Sequence, residues 1–274
     1  VLGFPPEAPK MRYLAWHARR WRAPVASTLA ETIDAALARL GPPALRTGAE
    51  CAVPLDVWRS PPFQGWLAAQ RAAGNCLDGA RLEWSWRVGA RRHLLVFWAL
   101  QVDVHVTAEG RNKTTELVIG RPDVAAVVLY ERGAPSLHAT RVVLVREFRA
   151  CARTADGSVH ELPGGSTFDD GMPLPVVAAE ELAEELGWHV APGRLEPVAT
   201  RQVAATLSAH QAAVFRVGLS PEEMDDFAGR TGPYGLQGSS EITWPEVRTV
   251  GALLATAEVD WANLGMILAA LDPG

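Results

Sequence analysis

Four glutamates within six residues, Glu180, Glu181, Glu184 and Glu185, stand in the last turns of a segment whose apolar spacing predicts a helix over residues 173–186. On helical geometry Glu181, Glu184 and Glu185 share one face, Ala178, Leu182 and Leu186 occupy the other, and Gly187 supplies the C-terminal stop. A charge run is ordinarily a solvated face, but this one is costly. Like charges four apart repel by about 0.2–0.5 kcal/mol per pair, and the helix dipole already places partial negative charge at that end. A bound divalent cation removes both costs, because Mg²⁺ takes carboxylate oxygens along with waters and substrate phosphates. Of the two readings, the cation site is the one that accounts for the placement.

Charge balance agrees. Residues 1–110 hold 13 Lys/Arg and 9 Asp/Glu, whereas residues 111–274 hold 13 and 22, so the acidic excess falls where the cation would sit. Such a balance excludes wholesale nucleic-acid binding, which needs a basic face. No run of apolar residues is long enough for a transmembrane helix, and the first residues lack the apolar core of a secretory signal. Three cysteines, Cys51, Cys76 and Cys151, are widely spaced with no C-x-x-C pair, which speaks against a disulfide scaffold or zinc knuckle and fits a reducing cytoplasm.

Along the chain, residues 28–40 read as an amphipathic helix with capping-box spacing at Thr28 and Glu31, and a short helix is expected over residues 63–73. From Arg81 onward the texture is β-rich: residues 82–86, 94–106, 114–119, 124–130 and 141–148 read as strands separated by turn residues. After the acidic helix, residues 198–206 and 211–217 read as strands again, and a helix is expected over residues 261–271. Strands on both sides of a central helix predict a mixed α/β sandwich.

Upstream of the acidic helix stands Glu161-Leu162-Pro163-Gly164-Gly165. Strand, Leu-Pro-Gly-Gly, loop and E-E-L-x-E-E-x-G helix together resemble the Nudix box, G-x5-E-x7-R-E-U-x-E-E-x-G-U with U apolar. Gly165 matches its first glycine, and Glu181, Leu182, Glu184, Glu185, Gly187 and Trp188 match its second half. Two positions depart: Glu180 stands where the pattern has arginine, and Met172 where it has the upstream glutamate, after a loop one residue longer. The resemblance implies a Nudix-type α/β/α sandwich with a mixed sheet over residues 111–274, preceded by a helical and β region over residues 1–110. It also implies Mg²⁺, or Mn²⁺, held by Glu181, Glu184 and Glu185 with a main-chain carbonyl near Gly165.

The flanks are similar to one branch of that family. Arg121-Pro122-Asp123 leading a strand, then Val145-Arg146-Glu147-Phe148-Arg149, then the Glu-Leu-Pro-Gly-Gly run resemble the ADP-ribose and nucleotide-sugar pyrophosphatases. This likeness implies that Arg146 and Arg149 face the substrate's phosphates or sugar, as their forked guanidinium groups suit, and that Glu161 faces its nucleoside side. The expected reaction is Mg²⁺-dependent hydrolysis of a nucleoside diphosphate linked to a sugar or similar group, with Glu184 and Glu185 among the catalytic residues. A further carboxylate after the box is expected to act as base or extra ligand. Glu241 is the first candidate; Glu222, Glu223, Asp225 and Asp226 compete, although Ser220-Pro221 reads as a helix start. The alternative function is a Nudix-fold module that binds a nucleotide with little turnover, as a sensor or partner-binding protein.

Seven of the ten tryptophans fall in residues 1–110. They fill a core or a dimer interface more readily than they stack on a ligand, and a homodimer with Trp84, Trp86 or Trp98 at or near the interface is expected. The basic and aromatic stretch over residues 12–22 is too isolated to make a nucleic-acid surface.

Overall fold

The β-rich texture beginning at Cys76 resolves into two separate sheets. The computed structural model describes residues 46–88, 94–166, 172–235 and 242–272. The helix expected over residues 28–40, the stretch over residues 12–22 and Glu241 lie outside them. Two compact units result, Val1–Arg121 with Leu207–Ala209, and Pro122–Thr206 with His210–Gly274.

In the first unit, helices α1 (Leu55–Trp58) and α2 (Pro61–Ala72) precede strands β1 (Cys76–Val88), β2 (Leu94–Val106) and β3 (Arg111–Gly120), which pair antiparallel in that order. The boundary expected at residue 110 falls in the β2–β3 turn, where Gly110 takes a left-handed conformation (φ 62°), and this unit continues through β3. Alternation along β2 turns Trp98, Leu100, Val102 and Val104 onto Phe63 and Leu67 of α2. Trp98 is thus a core residue of this unit. Its ring lies so close to Gly120 that a Cβ there would come within 2.1 Å of it. Trp84 and Trp86 remain 52% and 54% exposed, and Trp86 stacks on Phe97 at 6.3 Å between ring centroids.

The second unit is a mixed sheet between two helical layers. Its strands are β4 (Val124–Glu131), β5 (Arg141–Phe148), β6 (Ser158–Glu161), β7 (Gly164–Ser166), β8 (Glu196–Gln202), β9 (Gln211–Leu219) and β10 (Thr243–Thr249). The order is β10-β5-β4-β9-β8, with β4 and β9 parallel. Strand β4 is an unbroken apolar run because both of its faces are covered. Ala125, Val127 and Leu129 meet α3 (Leu174–Leu186) and α4 (Pro221–Gly229), while Ala126 and Val128 meet α5 (Val250–Ala255) and α6 (Trp261–Leu271).

Strands β4 and β5 pair only at Leu129–Val143 and Tyr130–Val142. Beyond that they diverge, and the chain from Ser158 to Ser166 fills the gap: β6 pairs with β5, β7 with β4, and Pro163 between them accepts a hydrogen bond from the Val127 amide at 2.9 Å. This insertion carries Glu161 and Gly164-Gly165 into the sheet beneath α3. The close approach demands glycine, since a Cβ on Gly164 would come within 2.1 Å of the Ala125 carbonyl.

Candidate functional site

Helix α3 docks on the sheet through Val177, Ala178, Ala179, Leu182 and Leu186. Leu182 and Leu186 are fully buried, each worth about 1.5–3 kcal/mol. Docking by that stripe fixes the opposite stripe too, and so sets where the glutamates stand. Met172, at the box position of a glutamate, packs its side chain on the same core.

Two of the glutamates meet the glycine strand. The Glu185 carboxylate accepts a hydrogen bond from the Gly164 amide at 2.9 Å. Glu181 lies against Gly165 so closely that a Cβ there would come within 2.5 Å of its carboxyl carbon. Although some of the Glu185 side chain remains accessible, desolvation of its carboxyl is the main cause of a pKa well above the usual carboxylate range. Repulsion from Glu181 comes next, the Gly164 hydrogen bond opposes the rise, and Glu161 and Glu147 add to it.

Cross-strand register explains why those last two are near. Glu161 sits opposite Val145, and Val145 and Glu147 alternate onto the face covered by α3. Glu147 is buried, and Arg149 pairs with it at 2.9 Å and with Glu161 at 3.6 Å. Glu147 was not among the residues singled out from sequence. The signal available was its alternation with Val143 and Val145, which puts a carboxylate on a buried face.

Arg146 is not brought to this place. Opposite His160 and Trp244 in register, it projects to the other face of the sheet. There its guanidinium lies 5.0 Å from the Trp244 ring centroid and 3.6 Å from both Asp156 and Glu246, and buried His160 contacts Glu246 through Nδ1 at 2.8 Å. The alternatives to Glu241 are engaged elsewhere: Glu223 closes a capping box with Ser220 and pairs with Arg194, Asp225 pairs with Arg141, and Asp226 with Arg230. Glu222 lies in the exposed first turn of α4, as the helix-start reading expects.

The negative end of α3 is satisfied from outside the helix. Arg230 donates to the Leu186 carbonyl, Thr243 Oγ1 donates to the Glu185 carbonyl at 2.9 Å, and Gly187 adopts φ 63° with the Tyr234 ring packed against it. A cation at the helix C-terminus is what the dipole favours, and Arg230, directly after α4, provides it in place of a lysine on α3 itself.

In kind, the donors suit a hard cation: carboxylates and main-chain carbonyls, with no thiol among them. Among the described residues, no three His, Cys, Asp or Glu side chains are gathered closely enough to hold a metal ion. The three cysteines are free and exposed, and no described helix is long and apolar enough to cross a membrane. Comparison with protein-family models finds no match to this chain, and comparison with curated proteins finds no significant one.

Proposed function

We propose that the chain is a Mg²⁺-dependent pyrophosphatase of the Nudix type, hydrolysing a nucleoside diphosphate linked to a sugar or similar group. The observation that carries this reading is the return of the acidic helix onto the Leu-Pro-Gly-Gly strand, with Glu185 on the Gly164 amide and Glu181 against Gly165. Helices on both faces of the mixed sheet support the Nudix-type sandwich.

Glu181, Glu184 and Glu185 would hold the ion, with the Gly165 carbonyl. When bound, it polarises the diphosphate and lowers the pKa of a coordinated water. The chain's own residues do the rest. Arg149, held between Glu147 and Glu161 at the edge of the site, offers a forked cation to a phosphate. Glu161 stands beside it for the nucleoside side. Glu185, whose pKa burial raises, is the carboxyl of this site best suited to proton transfer. A bulky group on each side of the diphosphate gives binding energy at two remote points, which can hold the phosphorus in line for attack. A triphosphate would bring further negative charge to an acidic site.

The test is kcat/KM for ADP-ribose, several nucleotide sugars and the common triphosphates under the same Mg²⁺, scored by mononucleotide release. A diphosphate joining two groups should win, and a triphosphate tenfold better would overturn the substrate class.

Two observations favour a second reading, a nucleotide-binding module with little turnover. Met172 is packed into the core, and the described residues gather no three metal-ligating side chains. Saturable binding of the same nucleotides, with or without Mg²⁺ and with no release, would select it. In either case we propose a homodimer through the outer face of the three-stranded sheet, where Trp84 and Trp86 are exposed. Sedimentation should show a dimer at micromolar concentration that W84S/W86S dissociates. The exposed free thiols fit a reducing cytoplasm.

A further inference from the structure

Resting on the cation-site reading above, we infer that Thr243 is a positioning residue for Glu185, fixing its main chain so that its carboxylate reaches the Gly164 amide. Glu185 is held at both ends. Its carbonyl accepts from Thr243 Oγ1 at 2.9 Å, and its carboxylate accepts from the Gly164 N–H at 2.9 Å. Thr243 is itself immobilised. It is 1% exposed, it sits opposite Glu147 in the β10–β5 register, and its own backbone exchanges hydrogen bonds with Tyr234, N–H to carbonyl at 3.1 Å and carbonyl from N–H at 2.9 Å.

Tyr234 in turn packs its ring on Gly187, and Arg230 donates to the Leu186 carbonyl. Three consecutive residues of the α3 terminus, 185 to 187, are therefore fastened by Thr243, Arg230 and Tyr234 in turn. A threonine hydroxyl on a helix-terminal carbonyl could be no more than a cap. Its placement distinguishes it: the capped carbonyl belongs to Glu185 itself, and the capping residue is the cross-strand neighbour of Glu147, whose charge acts on Glu185. That hydroxyl thus ties the main chain of Glu185 to the strand end opposite Glu147.

The experiment compares Thr243→Val, which keeps the shape and removes the hydroxyl, with Thr243→Ser, which keeps the hydroxyl. One readout needs no activity: the proton shift and hydrogen-exchange protection of the Gly164 amide by NMR in the metal-free full chain. In T243V that amide should move towards its non-hydrogen-bonded position and lose protection, and in T243S it should stay. The second readout is turnover, where T243V should lower kcat by roughly 10- to 100-fold with KM little changed, as expected for a displaced reacting group, and T243S should restore it. If valine is not accommodated, Thr243→Ala against Thr243→Ser makes the same comparison. An unmoved Gly164 amide in T243V, or a T243S chain impaired as much as T243V, overturns the positioning role. Wild-type chain that releases no mononucleotide overturns the pyrophosphatase reading alone, and the Gly164 amide still decides the positioning role.

Discussion

Strand β5 presents charge to both faces of its sheet, and the two faces differ in how that charge is answered. On the face away from α3, Arg146 lies between Asp156 and Glu246, Arg248 between Glu246 and Glu258, and His160 contacts Glu246. Acid and base alternate there across neighbouring strands, and an ion network of this kind is tolerable because each charge has its counter-charge. On the α3 face Glu147 and Glu161 share Arg149, yet the charges that act most on Glu185 are carboxylates, those of Glu181, Glu161 and Glu147. Both faces are rich in titratable groups. On the second, Glu185 is displaced far from its ordinary pKa, and under the proposed function it is this imbalance, and not charge density, that would mark the working face.

The largest effect expected from this contrast is loss of turnover on the unbalanced face. Glu185→Gln and Glu181→Gln should each lower kcat by about a hundredfold or more, since even residues that merely support metal ligands cost 10- to 100-fold. Both variants should keep the fold and melt no lower than wild type, because repulsion on α3 is relieved. Full activity in both would remove the cation site from this helix.

The next effect separates the two arginines of β5. Arg149→Ala should lower kcat/KM by roughly 10- to 100-fold, the size expected for one charge-assisted phosphate contact of about 1.5–3 kcal/mol. Arg146→Ala should leave kcat/KM within about threefold but lower the melting temperature, since Asp156 and Glu246 lose their shared cation and Trp244 its stacked guanidinium. The opposite ranking would return Arg146 to the substrate and make the two faces functionally alike.

The sequence resemblance assigns both arginines to the substrate. Strand β5 was legible as a strand because its apolar run is continuous, but such a run does not tell which of its two alternating faces meets the acidic helix, and its partners β6 and β10 are short and flanked by loops. β6, four residues long, was legible only as the strand leading into Leu-Pro-Gly-Gly, and β10 was not read, since it contains Pro245, which sits at a sheet edge and blurs the pattern. By contrast β2 and α6 have the bounds expected, Leu94–Val106 and Trp261–Leu271, because long periodic runs declare themselves. The acidic helix was legible for the same reason, and Gly164-Gly165 as its partner through the motif. Glu147 was signalled only by its alternation with Val143 and Val145, and Thr243 and Arg230 not at all, because they reach α3 from a distant part of the chain through tertiary packing that no local pattern encodes.

The smallest effect is thermodynamic and needs no substrate. Glu185 titrates higher in the folded chain than in the unfolded one, chiefly through desolvation and then through Glu181. The folded state therefore holds that proton more tightly. The resulting stabilisation is fully present below the unfolded pKa and is lost as pH rises through the folded one. The window begins at the ordinary value of 4.5 and extends upward from it. Metal-free wild type should lose a few degrees of melting temperature across that window, at about 2–4 °C per kcal/mol for a chain of this size. Glu185→Gln removes the group that titrates, so its melting temperature should fall less over the same range. Mg²⁺ competes with the proton for the same oxygens, so the melting-temperature gain it gives wild type should grow with pH and be much reduced in Glu185→Gln. Parallel pH curves for the two proteins, with and without Mg²⁺, would mean that the α3 face is as well balanced as the other, and the distinction between them would fall.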